Sequence, residues 1–243
     1  MNNLKILFFT VTAALLFLQS VSFSQTKNIC DKWDILDSLI TNSFIEKEDA
    51  LLLMKEYEPE IRKYFRRQRG VMTGRNEWVF PLKNYSSFYY RENGNDYKLS
   101  KYDYFQGSNT KGHPAHDIMI ADSNKDLLDD ITLKPVDVVS MSSGVVVATD
   151  TTWNPGSLLR GGRYVKIFDV ANNCIFYYSH LSEVSVSPGD VINEGDKIGE
   201  VGRTGRKAIF KSGKTHLHIA ALEVKDGYPV PVDIISDLKR IDK

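Results

Sequence analysis

The chain has 243 residues, of which 42% are hydrophobic and 26% charged, and 31 Lys plus Arg balance 31 Asp plus Glu. This composition is typical of a soluble globular protein of one or two domains with a sizeable core. A nucleic-acid-binding domain usually carries a basic excess, so the zero net charge argues against a nucleic-acid partner.

The N-terminus has the pattern of an export signal. Lys5 precedes a mostly apolar run over 6–18, and small residues follow it. We predict that residues 1–24 form a signal peptide, cleaved near Ser24–Gln25. The alternative is an uncleaved anchor, but the run is short for a membrane-spanning helix. We therefore expect an exported protein, periplasmic or secreted, at the cell envelope.

Export bears on the two cysteines, Cys30 and Cys174. In an oxidising compartment they could form a disulfide, or they could remain two separate thiols. Since the distance between them cannot be obtained from the sequence, both alternatives stay open.

Residues 25–70 are predicted to form a helical prefix. Apolar residues recur there at helical spacing: Trp33, Leu36, Ile40, Phe44, Leu53, Met54, Tyr57, Ile61, Tyr64 and Phe65. Ser43 and Glu46 have the spacing of a capping box, and Pro59 predicts that one helix ends at Glu58. We expect the prefix to cover a groove or to dock onto a partner.

Residues 75–235 are predicted to form an antiparallel β domain, which makes the fold mainly β. Short β-branched segments separated by turns indicate strands over 144–148, 164–169, 174–179, 197–201 and 215–224. The aromatic side chains that are dense over 78–105 could line a substrate groove, but core packing is the favoured interpretation.

All five histidines lie in three short segments, which favours a single metal site. His113 and Asp117 are four residues apart, and on an extended segment both side chains point to one face. His216 and His218 are two apart and also share a face. His116 falls on the opposite face from Asp117, so it is expected to be a supporting or core residue.

Three ligands, His113, Asp117 and His218, would hold one zinc ion and leave a fourth position open, as in a catalytic site. His180 and His216 would then lie around that open position. Either could accept a proton from water or donate to the oxyanion that forms when a carbonyl is attacked.

These motifs resemble those of the lysostaphin/LytM-type zinc metallopeptidases, which cut peptide bonds of bacterial peptidoglycan. The resemblance rests on His113 to Asp117, on Tyr178-Ser179-His180-Leu181, on His216-Leu217-His218 and on the glycine-punctuated run 186–205. It implies an antiparallel β fold, zinc ligands His113, Asp117 and His218, and catalytic residues His180 and His216. Three departures occur: Ala115 with the added His116, a long 206–214 segment and an expanded 122–138 segment. Substrate preference therefore does not carry over.

The sequence thus predicts an exported zinc metalloendopeptidase acting on peptidoglycan peptides. The alternative is a non-catalytic envelope protein of the same fold, which binds peptidoglycan or activates another hydrolase, and an envelope regulatory partner fits either. A related zinc hydrolase, such as a carboxypeptidase or amidase, would use the same metal chemistry. Residues 208–215 nearly spell a phosphate-binding loop but lack its first glycine and its helix, so no nucleotide is expected.

Overall fold

The computed structural model of the protein describes residues 28–88, 96–210 and 213–242. The predicted signal peptide, residues 1–24, lies outside the described residues. None of the helices in these three ranges combines the length and apolar character that a membrane-spanning helix needs.

Two helices open the described chain, α1 (Ile29–Thr41) and α2 (Lys47–Arg67). Asn28 caps α1, because its side chain accepts the N–H groups of Cys30 and Asp31. The capping box predicted at Ser43 and Glu46 is wrong. Glu46 is the N-cap of α2 but its side chain makes no capping bond, and Ser43 has a φ of 59°.

The prediction that Pro59 ends a helix at Glu58 is also wrong, since α2 continues through it. Pro59 is exposed, so a carbonyl left without a helical donor there can bond water. Met54 before it and Phe65 after it are both buried. Burial of the apolar face on both sides of the proline offsets the lost hydrogen bond.

The remaining elements are mostly strands. They are β1 (His116–Met119), β2 (Asp137–Val139), β3 (Gly144–Asp150), β4 (Arg163–Asp169), β5 (Cys174–Leu181), β6 (Glu183–Val184), β7 (Val191–Ile192), β8 (Lys197–Glu200), β9 (His216–Lys225) and β10 (Tyr228–Val232). Short 3₁₀ helices span Arg75–Glu77 and Tyr104–Asn109, and helix α3 (Ile235–Ile241) follows β10.

The strands form two antiparallel sheets. The seven-stranded sheet has the order β1-β9-β5-β4-β3-β7, with β10 also paired to β9, and the three-stranded sheet has the order β2-β8-β6. This architecture confirms the predicted fold class, a mainly antiparallel β protein with helices at its N-terminal end.

The large sheet has a core on each face. Val146, Ile167 and Phe176 point towards the small sheet, where they pack with Val138 and Ile198. Alternate residues point the other way and pack against α1 and α2 in a second core, which includes Trp33, Met54, Phe168, Ile175 and Leu222. The two helices therefore cover part of the second face, and the rest of that face borders an open cleft.

The cysteines are two buried free thiols, so the structure shows the unbridged alternative. Cys30 packs in the core under the helices, whereas Cys174 packs between the two sheets. Burial raises the pKa of Cys30 to about 12, so both its position and its ionisation make it unreactive in the folded chain.

Candidate metal centre

Pairing of β1 with β9 brings the first and last histidine motifs together. In this antiparallel register Asp117 lies opposite His218. His113 precedes β1 and exchanges two backbone hydrogen bonds with Lys98, each 2.7 Å long. The segment is therefore extended from His113 onward, and the side chains of His113 and Asp117 meet, as their spacing predicts.

One ligand atom from each of His113, Asp117 and His218 lies within 4.8 Å of the other two. The Oδ1 atom of Asp117 is 3.0 Å from Nε2 of His113 and 2.9 Å from Nδ1 of His218. In a tetrahedral zinc site, metal–nitrogen bonds of about 2.0–2.1 Å place neighbouring ligand atoms roughly 3.3 Å apart. Two imidazoles and one carboxylate at these distances fit a zinc ion.

The protonation states also suit a metal site. Burial raises the pKa of Asp117, but the hydrogen bonds from His113 and His218 outweigh it and hold that pKa well below its usual range. Burial lowers the pKa of His218 to about 4. At neutral pH the cluster therefore presents an ionised carboxylate and a neutral imidazole, which are the forms that bind metals.

Asp96 orients two of these three residues, and the sequence motifs do not reveal it. Its backbone carbonyl lies 2.9 Å from Nδ1 of His113, and its carboxylate accepts the backbone N–H of Asp117 at 2.9 Å. A carbonyl oxygen only accepts, so Nδ1 of His113 carries a hydrogen, and Nε2, which faces Asp117, is the atom available to an ion. Asp96 is buried in a loop outside the named strands, and no spacing rule marks such a position.

His116 lies outside the ligand cluster and is fully buried. Its Nδ1 is 3.0 Å from a carboxylate oxygen of Asp96, and its Nε2 is 3.1 Å from Oδ1 of Asp233. Tyr97 stacks on the ring, with the centroids 6.0 Å apart. His116 thus links the loop that carries Asp96 to the segment after β10.

His180 and His216 face the cluster from the side of the cleft. Their rings are 4.8 Å apart, and the ring of His180 is 5.5 Å from that of His218. Nδ1 of His180 donates to the carbonyl of Thr204, and Nδ1 of His216 donates to that of Lys214, both at 2.7 Å. Each histidine consequently has Nε2 left to exchange a proton in the cleft.

His180 reaches the cleft because β5 is irregular at this residue. Strict alternation would place it with Tyr178, which points into the core between the sheets. Its φ is instead 66°, and the β4–β5 register shifts beside it, between Arg163 and Tyr164. Such a bulge re-aims a side chain, and left-handed non-glycine residues are concentrated at functional sites.

Burial lowers the pKa of His180 well below its usual range, and the neighbouring His216 and His218 lower it further. The imidazole is therefore neutral at pH 7 and can accept a proton. All five predicted site residues line one cleft with a volume of about 730 Å³.

Comparison with protein families gives one match. Residues 130–231 match the model of peptidase family M23. The matched range includes His180, His216 and His218, and begins after His113 and Asp117. The match confirms the resemblance to the lysostaphin/LytM-type metallopeptidases that the motifs predict.

Several solved structures are similar to the chain. A candidate glycyl-glycine endopeptidase LytM from Ruminococcus gnavus is 19% identical over 90% of this chain and 84% of that chain, with a TM-score of 0.46. A zinc-containing peptidase from Vibrio cholerae is 20% identical over 67% and 39%, with a TM-score of 0.40. Lysostaphin from Staphylococcus simulans is 21% identical over 53% and 45%, with a TM-score of 0.38. No curated protein matches the chain at a significant level.

Proposed function

We propose that this protein is a zinc-dependent endopeptidase that hydrolyses peptide bonds of cell-wall peptidoglycan. The observation that carries the proposal is the convergence of His113, Asp117 and His218, with two further histidines next to them in the cleft. The family M23 match supports a peptidase acting on peptidoglycan. Export to the periplasm or the cell exterior is part of the proposal, because the N-terminal sequence has the pattern of a signal peptide.

His113, Asp117 and His218 would hold the ion through Nε2, Oδ1 and Nδ1, respectively. When bound, zinc supplies Lewis acidity, which polarises a carbonyl and lowers the pKa of water towards about 7. Asp96 keeps His113 and Asp117 in place through the two hydrogen bonds described above.

His180 is the general base in this proposal. Its Nδ1–H is engaged by Thr204, so Nε2 accepts the proton of the attacking water. The water oxygen bonds to the scissile carbonyl carbon, the C–N bond breaks, and the proton passes to the departing amine. His216 in its protonated form donates from Nε2 to the oxygen that gains negative charge.

The test is zinc content together with cleavage of purified cell walls. The metallated protein should lower the turbidity of a cell-wall suspension, a chelator should stop the loss, and added zinc should restore it. Mass analysis of the released fragments then identifies the bond, and new amino and carboxyl groups inside a peptide are expected. A protein that holds zinc but leaves the walls intact would be a non-catalytic envelope protein instead.

A further inference from the structure

The cleft extends beyond the candidate metal centre along the strands. Sheet register places Tyr164, Ser179, His218 and Asp117 in one row across β4, β5, β9 and β1. The next row on the same face is Lys166, Tyr177 and Ala220, which also line the cleft. Two residues along a strand span about 7 Å, so this second row is a side chain's length from the metal centre.

Helix α1 closes the cleft beyond that second row. Ile40 and Thr41, at the end of α1, line the cleft together with Tyr104 and Gly107 of the second 3₁₀ helix. Gly107 has a φ of 49°, and a Cβ there would lie 2.2 Å from the carbonyl oxygen of Ile40, so the two segments are packed without a gap. The cleft is therefore bounded at this end, and α1 is one of its walls.

The buried cation in the second row has its own counter-ion. Lys166 pairs with Asp37 of α1, and the rings of Tyr104, Tyr164 and Tyr177 lie 5.2–5.3 Å from its ammonium. Asp37 also accepts the hydroxyls of Tyr104 and Tyr164, at 3.1 and 2.8 Å. This network pairs the buried charges of Lys166 and Asp37 with each other, and an unpaired buried charge would destabilise the fold.

Two other basic side chains of the cleft, Lys98 and Lys207, have no such counter-ion among the described residues. Charged residues that line the cleft in the described chain comprise one acid, Asp117, and five bases, which are Lys98, Arg160, Lys166, Lys207 and Lys214. Lys98 and Lys207 are exposed, and neither forms a salt bridge with a described residue. Arg160 donates to the carbonyls of Thr110 and Gly112, and no acid in the described part of the chain forms a salt bridge with it.

The positive cleft contrasts with the neutral chain, in which 31 basic residues balance 31 acidic ones. A cleft lined with one sign of charge focuses the field and concentrates ligands of the opposite sign. Since a bound cation would neutralise Asp117, the remaining charge that lines the cleft is positive.

We propose that the substrate of this cleft is an acidic peptide, whose carboxylates lie within reach of Lys98 and Lys207. This inference rests on the proposed peptidase function and adds the chemical class of the substrate. Carboxylates of the substrate act as counter-ions for Lys98 and Lys207, as Asp37 does for Lys166 within the chain.

The experiment compares two forms of one probe, soluble muropeptides released from cell walls by a glycosidase. One form is native, and in the other the carboxyl groups are converted to carboxamides. The zinc-loaded protein should cleave the amidated form about tenfold less efficiently, mainly through a higher KM, and the difference should shrink as salt is added.

Matched variants connect the effect to the cleft. The double variant Lys98→Gln/Lys207→Gln should lose about tenfold in kcat/KM on the native probe and little on the amidated probe. This magnitude assumes that each exposed charge contributes about fivefold or less to kcat/KM. Lys83→Gln, an exposed lysine outside the cleft, should behave as wild type. Equal cleavage of the two probes, or equal losses on both in the double variant, would overturn the proposal.

The proposed function can fail separately. If the zinc-loaded protein cleaves neither probe, the peptidase assignment fails, and equilibrium binding of the two probes then tests the charge proposal. Tighter binding of the native form, reduced in the double variant, would support an acidic ligand. Equal dissociation constants would contradict it.

Discussion

Asp96 accepts the backbone N–H of Asp117 at 2.9 Å, and its own carbonyl oxygen lies 2.9 Å from Nδ1 of His113. One loop residue thus sets the position of two of the three candidate ligands. Groups that orient metal ligands in this way typically change metal affinity by about 10–100-fold when they are replaced.

Replacing Asp96 should therefore weaken zinc binding without removing a ligand. Asp96→Asn keeps the backbone carbonyl but loses one of the two carboxylate acceptors, so we expect zinc affinity to fall by about 10–100-fold. Competition with a chromophoric chelator measures this. The control is Asp137→Asn, which should leave zinc affinity unchanged. The side chain of Asp137 is 53% exposed and pairs with Lys197. Wild-type affinity in folded Asp96→Asn would show that Asp96 does not orient the ligands.

Replacing a candidate ligand should have a different effect from replacing one of the two other histidines that face the cluster. His218→Ala and Asp117→Ala remove a candidate ligand, so both should lose zinc. His180→Ala and His216→Ala should keep zinc and lose about 10²–10⁴-fold in turnover, as expected for general acid–base groups. Zinc content by mass spectrometry and cleavage rates on cell walls measure the two effects. Full activity in either of the last two variants would remove that residue from the mechanism.

Gly205 should be required for the position of His180. It has a φ of 110°, and a Cβ would lie 2.8 Å from Nδ1 of His180 and 2.6 Å from the carbonyl oxygen of Arg160. Gly205→Ala should displace the imidazole from Thr204 and lower turnover, with zinc retained. The matched control is Gly156→Ala, where φ is 103° but no atom lies within 4 Å of the added Cβ. Comparable turnover in the two variants would contradict this role, because both carry similar backbone strain.

The ion pair between Arg75 and Asp237 predicts a pH-dependent stability. Arg75 donates to both carboxylate oxygens, at 3.1 and 2.6 Å. Burial raises the pKa of Asp237, but Arg75 and Arg240 outweigh it, and the net pKa is below the usual 3.8. A lowered folded-state pKa stabilises the fold above the unfolded-state value, and this contribution is lost as the pH falls through the folded-state value.

Asp237→Asn should accordingly destabilise the protein by about 1 kcal/mol at pH 7, with the difference from wild type disappearing towards pH 3. Urea unfolding at both pH values measures it. The control is Asp226→Asn, which should change stability by much less at either pH. The side chain of Asp226 is 87% exposed and pairs with Lys55. If Asp237→Asn lowered the free energy of unfolding by the same amount at both pH values, the cause would be lost packing and not the lost ion pair.

Much of the site could be predicted because its residues follow local spacing rules. His113 and Asp117, like His216 and His218, lie on extended segments where period-two alternation sets the face, and the structure brings these four together. Strand segments were predictable for the same reason. The identification of three ligands and two catalytic histidines remains a prediction.

Other features depend on contacts that no local pattern specifies. His180 points into the cleft only because of a bulge, and Asp96 reaches the ligands from a loop 21 residues before Asp117. Pro59 stays inside α2 because both flanks of the helix are anchored on the sheet. In each case tertiary packing overrides the local rule.

The partnership of Asp37 with Lys166 has a practical consequence. The two residues are 129 positions apart, and the acid lies on a helix of the N-terminal prefix, outside the β domain. A shortened protein that started at the β domain would retain a buried ammonium without its anion, a loss that typically destabilises by about 3–5 kcal/mol. Expression for crystallography or for engineering should therefore begin at or before Asn28.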